Sequence, residues 1–455
     1  MLKSILHLFG VTRAVRWTLL TQGIRLLMGP MIMLLMLKHL SSSSQGYAYT
    51  FGSVLSVGIF LELGFSQNIL QFASHEFSKL SFTPTGTLDG DTKAKSRLIS
   101  LGRLSFKYYG VAALGFMVVL IVGGGWFFSS SEQVGVEWRG PWLVACFAAS
   151  LSLLLNPCWS ILEGCNRIAE VERFKFYSSI AGFLALAVGF MSGLGLYAVC
   201  LNTLVILILS VMYLALRHRE FFKMFLHQPE DGVISWRNEI WPFQWRIAVS
   251  WMSGYFIFTI ITPTVFRLAG PEAAGRVGFT LQLARLIASV ASSWSTTRLP
   301  EFGILVAKGE WQKLFETWRS STVMSVVISG IGSVIMILGM EAVIRFFPHI
   351  ESRYGGIIAA LYFCVSIVAQ SLINSCAFYL RAFKEEPYMG LSVANAILSF
   401  MLITILTLKW QINGAAFGYM LATIIILPFA WLIYKKKGSD YRKEHTARMI
   451  NQLTI

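Results

Sequence analysis

The stretch RWTLLTQGIRLLMGPMIMLLMLK, residues 16–38, sets the fold. From Trp17 to Leu37 it holds a single ionisable residue, Arg25. At 1.5 Å per residue the run is long enough to cross about 30 Å of hydrocarbon. Arg25 follows Arg16 by nine residues and so lies ~13 Å inside the apolar layer. A cation at that depth is costly unless a partner, a water-filled cavity or an anionic ligand receives it.

Runs of this kind recur twelve times, near 13–37, 46–70, 106–128, 141–163, 177–195, 197–216, 241–265, 277–297, 321–344, 356–380, 389–408 and 414–434. The chain is 55% hydrophobic and 13% charged, where a soluble chain carries about 25% charged residues. It therefore reads as an all-α polytopic membrane protein of about 12 transmembrane helices in two six-helix halves. The halves are residues 1–216 and 241–434, with a charged linker at 217–240 and a basic tail at 435–455. The first apolar run is too long to be the core of a cleavable signal, and Met1 to Gly10 is short.

Lysine and arginine give the orientation. The even-numbered loops and both tails hold 28 of them, the odd-numbered loops seven, and the spans three. By the positive-inside rule both termini are expected in the cytoplasm. The same asymmetry accounts for the net charge of +15, which is spread over many loops and not gathered on one nucleic-acid-binding face. The six cysteines form no CxxC pair and read as small core residues. With no zinc-ligand spacing, nucleophile–base set or phosphate-cradling loop, the chain reads as neither an enzyme nor an ATPase, and no cofactor is expected. Gly123-Gly124-Gly125 reads as close packing or a chain turn at a helix end.

The intramembrane charges are Arg25, Arg246 and Arg285 against Glu62 and Glu163, the latter at a helix end. A cavity with that excess of positive charge suits a large anionic substrate. Glu62 lies ~12 Å deep, and consecutive helices are usually neighbours, so an Arg25–Glu62 ion pair is plausible. It would serve either as a lock between two helices or as a switch opened by an anion or a proton. Arg285 lies ~13 Å from the opposite face and faces a cavity, or else bonds carbonyls at a broken helix near Pro263. Arg246 is shallower, ~7 Å in, within reach of the interface. Pro30, Pro157 and Pro263 are expected to kink the first, fourth and seventh helices. The amides of Gln22, Asn68, Asn156, Gln244, Gln282 and Asn374 are candidates for binding sugar hydroxyls or for interhelical hydrogen bonds. Residues 81–96 read as a mobile polar loop. Residues 299–318 read as an amphipathic helix on the membrane surface. The halves echo each other weakly: Arg16-Trp17, Gly23 and Pro30 against Trp245-Arg246, Gly254 and Pro263. That pattern points to a parallel repeat with the ligand site between its halves.

Three stretches carry a family likeness: Gln45-Gly46-Tyr47-Ala48-Tyr49-Thr50-Phe51, Phe60-Leu61-Glu62-Leu63-Gly64 and Gln71-Phe72-Ala73-Ser74-His75-Glu76. With the helix count and halves, they resemble the bacterial Wzx-type O-antigen and polysaccharide flippases, in the superfamily that also holds the MATE exporters and lipid II flippases. The resemblance implies a V-shaped bundle in the bacterial inner membrane with a cation-lined central cavity. It also implies translocation of an undecaprenyl-pyrophosphate-linked oligosaccharide from inner to outer leaflet by alternating access, with a polysaccharide polymerase and a chain-length regulator as partners. On that reading Arg25, Arg246, Arg285, Gln22, Asn68 and Gln282 contact substrate, while Glu62, Pro30 and Pro263 gate or couple to an ion. The alternatives are a MATE-like cation or drug antiporter, which needs cavity carboxylates, and a non-transporting scaffold for glycan assembly.

Overall fold

The structure, a computed structural model, describes residues 13–453 apart from 63, 85, 131–134, 230–234, 236–240, 347 and 384–386, and omits some side chains inside helices, Gln244 and Arg246 among them. The chain forms two compact units, Met1–Met252 and Ser253–Ile455.

In the first unit, α1 (Arg13–His39) continues as a helix through Pro30, which lies inside it and does not end it. Its neighbour is not the following helix. It packs along α8 (defined below), where the Thr21 hydroxyl donates to the Glu172 carbonyl at 3.1 Å and Trp17 meets Phe176 edge-on at 5.7 Å. The second span is interrupted. It runs as α2 (Ser42–Leu55, capped by Ser41), a single 3-10 turn at Ser56–Gly58, α3 (Ile59–Glu62) and α4 (Phe65–Phe77). Gly64 makes the break with φ 70°, a left-handed conformation that suits glycine.

Residues 81–96, expected as a loop, are more ordered than that. β1 (Leu80–Phe82) and β2 (Leu88–Gly90) pair as an antiparallel hairpin. Asp91 then caps α5 (Thr92–Val119), its carboxylate accepting from the Ala94 N–H at 2.8 Å. A π-turn at Leu120–Gly124 leads into α6 (Gly125–Ser129). Of the three glycines there, Gly124 is the one packing requires: a Cβ would sit 2.3 Å from the Trp142 ring. The Trp142 indole donates to the Leu120 carbonyl at 3.1 Å. α7 (Arg139–Leu162) turns at Cys165–Asn166 into α8 (Ile168–Met191), and α9 (Leu196–Arg217) follows. Gly164 at that turn lies against α4, where a Cβ would meet the Leu70 carbonyl at 2.8 Å. A short α10 (Arg219–Lys223) and a 3-10 turn (Met224–Leu226) close the unit's connector.

Further along the chain come α11 (Trp241–Phe258) and α12 (Ile261–Thr296), separated at Thr259–Ile260. Pro263 does not interrupt a helix as expected. It lies in the first turn of α12, where no backbone N–H is needed from it. The turn between the seventh and eighth spans is made at Gly270 (φ 89°), just before Pro271. α13 (Leu299–Lys308) ends at left-handed Gly309, and α14 (Trp311–Phe346) starts at once. The surface helix expected over 299–318 is therefore two elements, and much of its apolar face is covered by protein, with Phe315 left exposed. Phe302, Leu314 and Trp318 are buried with Tyr379 and Tyr434, Trp318 stacking on Tyr434 at 4.6 Å. α15 (Ile357–Arg381) and α16 (Met389–Leu453) complete the unit. α16 reverses at Trp410–Gln411, and a Cβ on Gly414 would lie 1.9 Å from the Leu406 carbonyl.

Among the described residues, eight stretches are long and apolar enough to cross a membrane, and three of them contain one of these chain breaks. All six cysteines are buried and free.

Candidate functional site

The interruption of the second span presents Glu62. Ending α3 at Glu62 and restarting at Phe65 frees backbone groups at membrane depth, and these need partners. The Tyr108 hydroxyl donates to the Leu61 carbonyl. The half-buried Glu62 carboxylate accepts from the Ser66 hydroxyl, one turn on, and Ser66 also shares a hydrogen bond with the Tyr109 hydroxyl at 2.9 Å. Tyr109 is fully buried and stacks on Phe65 at 5.8 Å, which fixes the hydroxyl. Among the described residues the carboxylate is held by the Ser66 hydroxyl and joins no ion pair.

Arg25 does not pair with Glu62. Among the described residues no ion pair joins them and no acidic group lies against Arg25, which is exposed on α1. The reason is the packing order. α1 lies on α8, and Glu62 is turned to Ser66 by the break. Glu163, the other carboxylate assigned to a span, is neutralised by Lys175 at 2.6 Å, and Lys175 also holds Glu172 at 3.0 Å.

At the basic end of this unit Glu170 gathers Arg167 at 3.3 Å, Arg217 and His218 at 3.5 Å each, and the Tyr213 hydroxyl at 2.9 Å. Burial, with Arg167 and Arg217 beside it, holds the His218 pKa below its ordinary value although Glu170 pulls it up. Arg167 also lies over the Phe82 ring at 4.2 Å, tying the hairpin to the bundle. Many cations of this end are thus engaged, whereas Arg25 at depth is not.

Arg285 behaves as the broken-helix reading expects. It is half-buried on α12 and donates to the carbonyl of Phe258, the last residue of α11 before the interruption. Tyr419, buried on α16, is near enough to interact with it electrostatically. The Arg246 side chain lies outside the described residues. Gln22 is exposed and Gln282 half-buried, whereas Asn68 is only 1% exposed. The Asn68 amide has no partner among the described residues and is sealed inside the unit, out of reach of a bulky sugar in this structure. Pro30 is exposed on α1.

The three stretches that carried the family likeness have distinct local roles. Tyr47 and Phe51 pack against Phe128, at 5.8 and 5.0 Å, and Phe51 against Trp142 at 5.0 Å. In the second stretch Phe60 to Glu62 close α3, and Gly64 makes the break. Glu76 binds Arg97 at 2.8 Å, joining α4 to the start of α5. Sequence reasoning overlooked Ser66, Tyr108 and Tyr109. The signal available was hydroxyls at one-turn spacing after Glu62 and an adjacent tyrosine pair in the next span.

A helical bundle with interrupted apolar spans defines a class, the polytopic membrane proteins, and solved structures give the particular fold. No protein-family model and no curated protein sequence matches the chain. A multidrug-resistance MATE transporter of the MOP superfamily, inward-facing, matches with TM-score 0.70 and 13% identity over 94% of this chain and 99% of that one. The lipid II flippase MurJ, inward closed, matches with TM-score 0.64 and 13% identity over 96% and 92%. A MOP-superfamily transporter from Pyrococcus furiosus Vc1, described as having a binding pocket of reverse polarity, matches with TM-score 0.55 and 12% identity over 94% and 96%. The chain is a multi-pass membrane protein with the MATE- and MurJ-like fold of MOP-superfamily transporters.

Proposed function

We propose that this protein is a flippase that carries an undecaprenyl-pyrophosphate-linked oligosaccharide from the inner to the outer leaflet of the bacterial inner membrane, with both termini cytoplasmic. The observation that carries this reading is Arg25, a cation in the middle of a span that no carboxylate neutralises among the described residues. A pyrophosphate brings two or more negative charges, and arginine's planar fork binds phosphate oxygens two at a time. Such a cation offsets part of the cost of taking the head group out of water. Gln22, exposed on α1, and the half-buried Gln282 are the amides offered to sugar hydroxyls. A polysaccharide polymerase and a chain-length regulator are the expected partners.

The MATE-like cation antiporter is the second reading, favoured by Glu62. A half-buried carboxylate at a broken span is what a coupling cation or proton would use. In the flippase reading the same residue takes the proton that drives or times the cycle.

Deletion separates the two. A host lacking this protein, and with no second flippase, is expected to accumulate lipid-linked repeat units and to lose its surface polysaccharide. Normal surface glycan in that strain, together with heightened sensitivity to cationic drugs, would favour the antiporter.

A further inference from the structure

We infer that the first unit carries a binding site for one anionic phospholipid, apart from any translocation path. The observation is a cavity of about 930 Å³ bounded by α5, α7, α9 and the α10 connector. That is the upper range of small-molecule sites, about 300–1,000 Å³. Its walls and its rim differ in chemistry. Leu104, Leu155, Val211 and Leu214 make an apolar slot, with Val211 48% exposed. Arg103, Lys107, Arg219 and Lys223 stand around one end, and among the described residues no acidic side chain lines the cavity.

All four cations sit at the same membrane boundary. Lys107 comes where the apolar run of α5 begins, and Arg219 comes two residues after α9 ends. A bilayer would bring fatty chains to the slot and phosphates to the rim. Basic pockets between helices at a bilayer surface select anionic head groups.

The site is built, because the connector that forms its floor is clamped in place. In Arg219–Leu226 the apolar Phe221, Met224 and Phe225 are buried while Arg219 and Lys223 face out. Phe225 lies on α5 at Gly102, where a Cβ would come within 2.2 Å of its ring, and packs 5.9 Å from Phe106. The Arg103 guanidinium donates to the carbonyls of Leu226 at 3.2 Å and His227 at 2.8 Å, fastening the connector's end. Lys223 is shared with Glu220 at 2.7 Å. Lys107 and Arg219 have no ion pair among the described residues and are the rim's available charges. A soluble anion would use the rim and leave the slot empty. A neutral lipid would use the slot and leave two cations unmatched. An anionic phospholipid satisfies both.

The test is native mass spectrometry of the purified full-length protein in a neutral detergent, offered equimolar dioleoyl-phosphatidylglycerol and dioleoyl-phosphatidylcholine. The parent is expected to retain one phosphatidylglycerol in preference. Lys107→Glu/Arg219→Glu is expected to weaken that preference about tenfold or more, at unchanged thermal stability without lipid. Leu155→Trp, which fills the slot and keeps the charges, is expected to lose the retained lipid as well. Equal retention of the two lipids by the parent overturns the proposal, as does an unchanged preference in either variant. Release of the lipid by millimolar inorganic phosphate would assign the rim to a soluble anion and overturn it too. If the charge-reversed protein misfolds, Leu155→Trp decides alone.

Discussion

Arg25→Ala is expected to abolish export of the lipid-linked sugar while the protein inserts normally and melts at or above the parent's temperature. The two halves of that expectation have separate grounds. Arg25 is exposed on α1 and joined to no carboxylate among the described residues, so removing it leaves no orphaned charge. A lone arginine near a helix centre opposes insertion by about 2.5–3.5 kcal/mol on translocon scales, so alanine relieves the fold if anything. Transport has no such compensation, because the cation offered to the pyrophosphate is gone. Arg25→Lys is expected to keep part of the flux, having the charge without the two-pronged donor. Arg285→Ala differs in kind. It removes a donor to the Phe258 carbonyl and is expected to cost about 1–3 kcal/mol of stability as well as flux. Export measured beside melting temperature distinguishes these cases. Full export by a well-inserted Arg25→Ala protein would remove the anionic-head-group account.

Glu62→Gln is expected to fold like the parent and to transport slowly, with a flux that no longer responds to a pH gradient. Had Glu62 neutralised a buried arginine, the change would cost about 3–5 kcal/mol by stranding the cation. Its partner is instead the Ser66 hydroxyl, whose proton a glutamine oxygen can still accept. Stability is therefore spared, and what is lost is the ability to ionise, since glutamine mimics the protonated acid permanently. Tyr109→Phe is expected to weaken the response to the gradient without removing it, because Tyr109 shares a hydrogen bond with the Ser66 hydroxyl that holds Glu62. A Glu62→Gln protein whose flux keeps the parent's response to the gradient would take Glu62 out of the mechanism.

Hydropathy made the spans legible because one physical quantity, about 20 apolar residues in a row, decides them. It did not show which spans touch. Arg25 and Glu62 fall at similar depths on consecutive helices, and the pair failed only because α1 lies on α8, a contact spread over small and aromatic residues with no pairing signal. Interruptions were also hard to see. Proline drew attention to Pro30 and Pro263, yet the breaks occur at Gly64, at Thr259–Ile260 and at Gly270, where positive φ or the loss of a backbone turn matters more than a missing N–H. The apolar face of 299–318 read as membrane-facing because sequence alone does not separate lipid from a neighbouring helix as its cover. That Arg25, Arg285 and Glu62 are charges within apolar runs was readable, whereas their partners depended on the fold.

The most direct test of the central claim is head-group translocation in proteoliposomes. Purified protein is reconstituted with a polyprenyl-pyrophosphate oligosaccharide in both leaflets, and the fraction of sugar open to an external glycosidase is followed in time. The parent is expected to expose nearly the whole pool, while empty vesicles and Arg25→Ala vesicles expose only the outer leaflet's share. A cationic dye is expected to stay where it was loaded. Parent vesicles that expose no more sugar than empty ones, yet move the dye against a gradient, would contradict the account and identify a cation antiporter on the same fold.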